Sequence, residues 1–324
     1  MACDRKRSIK FIKESLHFST EEVQVLEKDK KEFLYIFVRN FYENEPFTNF
    51  NSHYWNVLKS RGDVDKSAST ITFETVLNLL EKNVGGACFT AAFGAQIFLT
   101  HLGFDCYVTH TFIENRPGFQ ILHFLLVVKD LEKEGDLHLI DFGTRLSPLN
   151  QPIPLHLLAE EGQESEKYES FYMYNKFVRR GDDIFRLTGK IGSNSDPFFF
   201  YGIKAVPARC GSISDDGVNL NFEKFPKADK PKLSESERSE AAKKAGRFWF
   251  SQFHVVGFPE GKVCVFRNTE WMHQDELNGE IKRVIIDNKD EYIDKLAQCY
   301  PSYEREIIES TINSIWDGVI QPRA

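Results

Sequence analysis

Apolar residues recur at helical spacing as far as Leu102, and beyond Gly103 they recur at the spacing of strands. That change of period limits the chain to an α+β fold in which a helical part leads into an antiparallel meander. On the helical side, Ser19-Thr20-Glu21-Glu22 is a capping box with Ser19 as N-cap. Val23, Leu26, Phe33, Phe37 and Phe41 follow at helical spacing until Glu45-Pro46 ends the run. Residues 47–70 are polar and punctuated by Arg61-Gly62-Asp63, which predicts a long loop in which this triplet is a turn and not an adhesion motif. Helices are expected over about 73–82 and 88–102, the second with Phe89, Phe93 and Ile97 on one face and Gly103 as its C-cap.

Strand-type runs cover 106–113, 120–129 and 137–141, separated by Asn115-Arg-Pro-Gly and Glu132-Lys-Glu-Gly. Residues 171–225 are β-rich, with turns at Arg180-Gly-Asp-Asp, Gly192-Ser-Asn-Ser and Ser214-Asp-Asp-Gly. The charged stretch 226–246 is broken by Pro226 and Pro231 and is expected as a linker or solvated helix. Strands are expected at 248–256 and 262–267, and amphipathic helices at about 288–299 and 303–316.

Composition removes several function classes. The 41 Lys+Arg against 48 Asp+Glu leave a formal charge of −7, which argues against a broad basic surface for nucleic acid or an acidic membrane leaflet. No apolar run is long enough to span a membrane, and the charged N-terminus is unlike a signal peptide. The six cysteines stand apart with no pair at metal-finger or thioredoxin spacing, so free thiols and a cytoplasmic location are expected.

Cys88 by itself reads first as a small buried hydrophobe, the commonest state of a free cysteine, and only second as a nucleophile. Its setting favours the second. Gly85 and Gly86 let the backbone turn tightly, and the helix beginning at the cysteine sets its sulfur near unpaired N–H groups and the positive end of the helix dipole. Both favour thiolate, and the amide of Cys88 or Phe89 could help hold an oxyanion.

A thiol nucleophile needs a base, and the base an orienting group. His123 lies in Gln120-Ile-Leu-His-Phe-Leu-Leu-Val-Val, a run apolar on both faces. A histidine there must pair its ring nitrogens internally, because an unpaired buried polar group costs about 1–3 kcal/mol. Asp141 is the isolated carboxylate that ends Leu137-His-Leu-Ile-Asp. A hairpin centred near Glu132-Lys133 sets residue 123 opposite about residue 142, making His123 and Asp141 neighbours or near-diagonal neighbours.

The rival histidines are weaker. His110 sits in a more polar strand and is expected to be half exposed, while His138 points to the face opposite Asp141. His17, His53, His101, His156, His254 and His273 are assigned surface roles. The candidate catalytic residues are Cys88, His123 and Asp141, with no metal expected.

These residues resemble the arylamine N-acetyltransferase family, which carries Arg-Gly-Gly-x-Cys at a helix start, a strand histidine, and a strand-ending Asp followed by glycine and phenylalanine. Here they stand as Val84-Gly-Gly-Ala-Cys88, His123 in Leu-His-Phe-Leu-Leu, and Asp141-Phe-Gly-Thr. Glu45-Pro-Phe-Thr-Asn-Phe-Asn51 is similar to the family's Val-Pro-Phe-Glu-Asn-Leu, and Leu102-Gly-Phe-Asp, Asn150-Gln-Pro-Ile-Pro-Leu and Pro259-Glu-Gly-Lys-Val-Cys-Val-Phe-Arg-Asn extend the likeness over about residues 11–300.

The resemblance implies an N-terminal helical bundle, an antiparallel β-barrel and an α/β lid around a papain-like cysteine-protease-type core. The corresponding boundaries are 1–103, 104–225, a charged linker or insertion at 226–246, and 247–324. It implies acetyl-CoA as co-substrate and ping-pong transfer through a Cys88 thioester to an arylamine or arylhydrazine nitrogen. The loop 114–120 would line the cofactor cleft, with Arg116 and Gly118 as candidate contacts; a solvated turn arginine is the plainer reading of Arg116.

Departures from the family pattern cluster around the nucleophile: Val84 for the arginine, Thr48 for the glutamate, and Thr90 and Ala92 for polar residues. They are consistent either with charged groups lost together as a pair, leaving no orphan charge, or with a reshaped acceptor site. A thiol hydrolase or transglutaminase-like enzyme would use the same three residues, and a non-enzymatic binding protein is the third possibility.

Overall fold

The structure is a computed structural model that describes residues 2–63, 72–111, 123–143, 149–170, 173–193, 195–214, 217–220, 252–277 and 279–321. It opens with α1 (Ala2–Glu14), α2 (Thr20–Lys28) and α3 (Lys30–Asn44). The Ser19 hydroxyl accepts the Glu22 amide and the Glu22 carboxylate accepts the Ser19 amide, as the capping box requires. The apolar run that follows is two helices, not one. Asp29, in extended backbone, ends α2 and caps α3 by accepting the Glu32 amide at 2.9 Å. The spacing runs through the break because both helices face one core.

The loop expected at 47–70 is largely ordered. It holds β1 (Phe47–Thr48) and α4 (Phe50–Arg61). This helix has no side-chain N-cap and buries only Phe50, His53 and Val57, which leaves little amphipathic signal in the sequence. Gly62, at φ +81, closes it in the left-handed conformation, so Arg61-Gly62-Asp63 is a helix C-terminus. α5 (Phe73–Glu81) and α6 (Cys88–His101) complete the helical part.

Strands β2 (Asp105–His110), β3 (Phe124–Lys129), β4 (Leu137–Ile140) and β5 (Ile153–Pro154) pair antiparallel in sequence order. Val108, Leu126, Val128 and Ile140 pack on one face against the helices, around Phe37, Phe93 and Phe98. Tyr107, Leu125, Val127 and Leu139 point the other way, against a second sheet. Burial on both faces explains why β3 is apolar without alternation.

The second sheet is β6 (Tyr168–Ser170), β7 (Met173–Arg180), β8 (Asp183–Lys190) and β9 (Phe198–Lys204), and a hairpin of β10 (Gly211–Ser214) and β11 (Gly217–Leu220) follows. The expected closed barrel is instead, among the described residues, two open four-stranded sheets sharing a core. β5 and β6 have two and three residues, and Pro154 removes a ladder donor, so the hydrogen bonding stops at these edges.

The C-terminal part is a five-stranded sheet, β1 with β12 (His254–Gly257), β13 (Cys264–Arg267), β14 (Glu270–His273) and β15 (Lys282–Ile285). β14 and β15 go beyond the strands legible in the sequence. One face packs through Phe253, Val255 and Phe266 on α7 (Lys289–Cys299) and α8 (Arg305–Ile315). The segment 226–246 lies outside the described residues. Among the described residues no helix is long and apolar enough to cross a membrane.

Candidate active site

The glycine turn before Cys88 is stitched to the C-terminal sheet. The Gly86 amide donates to the Pro46 carbonyl at 3.2 Å, and the Thr48 amide to the Gly86 carbonyl at 3.0 Å. Gly85 has φ +64, and a Cβ there would stand 1.9 Å from the Pro46 oxygen, so only glycine fits. Ala87, the N-cap of α6, supplies no side-chain hydrogen bond. The amides of Cys88 and Phe89, in the helix's first turn, thus meet no side-chain cap and lie beside the half-buried thiol.

On the strand side, Leu126 pairs with Ile140 and Val127 with Leu139, and continuing that register sets His123 opposite Gly143. This is one residue past the expected partner and leaves Asp141 diagonal to the imidazole. A Cβ on Gly143 would lie 2.4 Å from the Cys88 Cβ and 2.6 Å from the His123 Cε1, so the missing side chain is what lets helix start and strand meet. Gly143→Ala should therefore push thiol and imidazole apart. We expect Cys88-dependent turnover to fall about 100-fold, as for a 1 Å misplacement, with the fold retained by circular dichroism. An unchanged rate would show that the close approach is not needed.

His123 Nε2 donates to Asp141 Oδ1 at 2.7 Å, and the Gly143 amide donates to the same oxygen at 2.9 Å. The other ring nitrogen is left for the hydrogen bond with Cys88. Burial pushes the Cys88 thiol up, but the hydrogen bond and charge of His123 with the Phe124 amide outweigh it, and the pKa falls below the usual range. Burial likewise disfavours a charged His123, yet the Asp141 charge and hydrogen bond dominate and raise it to about 10. Asp141, despite burial, is lowered to about 2, chiefly by His123 and then by Arg186.

Arg186, on β8, was not legible as a site residue. It is 0% exposed, and its Nη1 donates to Asp141 Oδ2 at 2.5 Å. Tyr201 donates to the same oxygen at 2.8 Å, with burial holding its phenol well above the usual range. Asn175 Oδ1 accepts Arg186 Nη2 at 2.7 Å and Arg186 Nε and the Thr188 hydroxyl at 3.0 Å. Both Asp141 oxygens thus carry two donors, and the carboxylate is fixed in position as well as in charge. The only sequence trace was Ile184, Arg186 and Thr188 sharing a strand face, which places an arginine beside a buried isoleucine.

Arg116 and Gly118 fall outside the described residues. His110, expected half exposed, is buried, and burial lowers its pKa to about 4. His53 and His254 are buried too, because α4 and β12 turn them into the packed interior beneath β1.

Two of the departures from the family motif, Val84 and Thr48, leave no orphan charge where they stand. Val84 packs beside Tyr303 in the C-terminal core, and its carbonyl accepts the Tyr303 hydroxyl at 3.1 Å. Thr48 donates to the His254 carbonyl at 3.0 Å and accepts the Phe50 amide at 2.9 Å. Glu45, beside Gly85, is buried, and that burial pushes its carboxyl well above the usual range.

No family model and no curated protein matches the sequence. Solved structures do match in fold. An arylamine N-acetyltransferase from Salmonella typhimurium is 14% identical, over 95% of this chain and 98% of its own, with a TM-score of 0.60. That of Mycobacterium marinum, solved in complex with CoA, is 12% identical over 94% and 97%, with a TM-score of 0.59. One from Bacillus cereus, described as having a Cys-His-Glu catalytic triad, is 16% identical over 91% and 97%, with a TM-score of 0.56. The chain has the fold of these proteins along nearly its whole length.

Proposed function

We propose that the protein is an acyltransferase that moves an acetyl or short acyl group from coenzyme A, through a thioester on Cys88, to the nitrogen of an arylamine or arylhydrazine. The observation that carries this is the series Cys88–His123–Asp141, hydrogen-bonded in order and anchored by Arg186. The fold shared with arylamine N-acetyltransferases, one of them holding CoA, supports the choice of donor and acceptor.

In the first half-reaction the unprotonated nitrogen of His123 takes the Cys88 proton, and the thiolate attacks the acyl carbonyl of acetyl-CoA. The carbon–sulfur bond to coenzyme A then breaks, and its thiolate leaves with the proton from the imidazolium. Exchange between two thioesters suits a cysteine, since nucleophile and leaving group are similarly basic. In the second half, the amine attacks the Cys88 thioester, His123 takes a proton from the nitrogen, and the Cys88 thiolate departs. First-turn amides of α6 face the developing oxyanion. Asp141 holds the imidazole in the tautomer with hydrogen on Nε2 and balances its charge. Arg116 and Gly118 belong to this proposal as contacts to coenzyme A, and the uncharged surroundings of Thr48 and Val84 as the change that reshapes the acceptor site.

Intact-protein mass spectrometry after incubation with acetyl-CoA and no amine tests the reading. We expect a gain of one acetyl group. No adduct, on protein whose thiol still reacts with a small alkylating agent, would overturn the coenzyme A reading in favour of a thiol hydrolase or amide-exchanging enzyme.

A further inference from the structure

Three groups away from the candidate active site converge where β4 begins. Asp136 ends the turn between β3 and β4, His138 is the second residue of β4, and His156 lies in a 3-10 turn (Leu155–Leu158) just past β5. Strand alternation sets Asp136 and His138 on one face, and the pairing of His138 with Pro154 brings His156 beside them. One ligating atom from each lies within 4.8 Å of the other two. The imidazoles stand at 64° to one another with centroids 5.6 Å apart.

A buried histidine is normally satisfied by hydrogen bonds, and this one is not. His138 is 0% exposed, and neither of its ring nitrogens has a hydrogen-bond partner. The Nδ1 of His156 is buried and unpartnered as well. His138 Nδ1 lies 3.8 Å from Asp136 Oδ1. That is too long for a hydrogen bond, but close to the ~3.4 Å edge between two ligands of a tetrahedral zinc ion bound at about 2.0–2.1 Å.

The surroundings are those of a ligand set held in place. The Asp136 carboxylate accepts the amides of Leu131 and Glu132 at 2.8 Å and of Lys133 at 3.1 Å, which fixes its orientation and keeps lone pairs free. The far nitrogen of His138, Nε2, faces Glu132 Oε1 at 3.5 Å. A carboxylate at that distance can close on the ring once Nδ1 binds metal, since ligating imidazoles donate their other nitrogen to such a group. Glu132 is itself paired with Lys31 of α3 at 2.5 Å, so the support reaches into the helical part.

We propose that Asp136, His138 and His156 form a zinc site, with water completing the coordination, that clips the β3–β4 turn to the segment after β5. The sequence reading expected no metal, because the ligands do not share a spacing motif and come from either side of an intervening strand. Two nitrogens and one carboxylate oxygen suit zinc. The ion would fasten the strand that presents Asp141 three residues further on.

The test uses the full chain in a Cys88→Ser background, because the reactive thiol would itself bind metal. After equilibration with Zn(II) alone and passage through a desalting column, metal is quantified by atomic absorption. We expect one equivalent in Cys88→Ser, and at least a tenfold weaker affinity in Cys88→Ser/His156→Asn, measured by competition with a chromophoric chelator. His156 is only part-buried, so this variant should fold, which circular dichroism of the metal-free protein checks. Zinc at a hundredfold excess over Kd should raise Tm by about 4 °C in the first protein and not in the second. Equal zinc binding by both proteins, or none by either, would overturn the site.

Discussion

Cys88→Ala lowers turnover by at least about 10,000-fold, the scale seen when a nucleophile acting as part of a triad is removed. The change deletes one sulfur at the first position of α6, where alanine is an excellent helix former, and the half-buried site loses little packing. Melting temperature and circular dichroism should therefore match the parent protein. The same substitution abolishes the fast alkylation expected of a thiol whose pKa is lowered by His123 and the Phe124 amide. The sign is fixed by the direction of that shift. The thiolate persists below the pH at which an ordinary cysteine is protonated, so alkylation near pH 7 should be faster than for the buried thiols Cys106 and Cys210, whose pKa values burial raises. Near-normal turnover by Cys88→Ala would sink the thioester mechanism altogether.

The second large effect is on stability. Arg186→Met leaves the Asp141 carboxylate at 0% exposure with one of its four donors gone and only His123 to balance its charge. Breaking a buried pair from one side costs about 3–5 kcal/mol, a large share of the stability of an ordinary domain. The double change Arg186→Met/Asp141→Asn removes both charges and should recover most of that loss, because a neutral amide leaves no buried charge to be balanced. It should not recover activity. An amide presented to His123 no longer favours the tautomer with hydrogen on Nε2, and the corresponding change in a serine triad costs about 10,000-fold in kcat. Urea titrations of the two variants decide the matter: a single variant as stable as the parent, or a double no more stable than the single, would show that Arg186 does not serve to balance Asp141.

The groups that meet at the site differ in how visible they are from the sequence, and the reason is physical. Cys88, His123 and Asp141 stand out because each is a polar residue where local pattern demands an apolar one or a turn. Their approach follows from a single hairpin, and its register is legible to within one residue; the turn is centred on Lys133, between Asp130 and Asp136, so the partner of His123 is Gly143 and not residue 142. Arg186 escapes notice because its charge is balanced 45 residues away in sequence; the strand face it shares with Ile184 and Thr188 is too weak a trace to set a buried arginine apart from a solvated one. α4 escapes because it is a mostly polar helix held by contacts with α8, at the far end of the chain. The barrel is expected from the family resemblance alone, whereas closure depends on edge length, and β5 and β6 are too short to supply it.

The loop leading to Cys88 is gripped from two sides. β1 holds Gly86 by backbone hydrogen bonds, and the turn between α7 and α8 holds Asn83 and Val84 through Ser302 and Tyr303. A jaw-like opening, in which the C-terminal sheet swings away from the helices, would tear these bonds and expose their buried groups, at about 1–3 kcal/mol for each one left unmade. Traffic to the sulfur is therefore tied to side-chain and loop movements around a rigid collar. Under the proposed function, the acyl donor would meet the sulfur inside a frame that does not open.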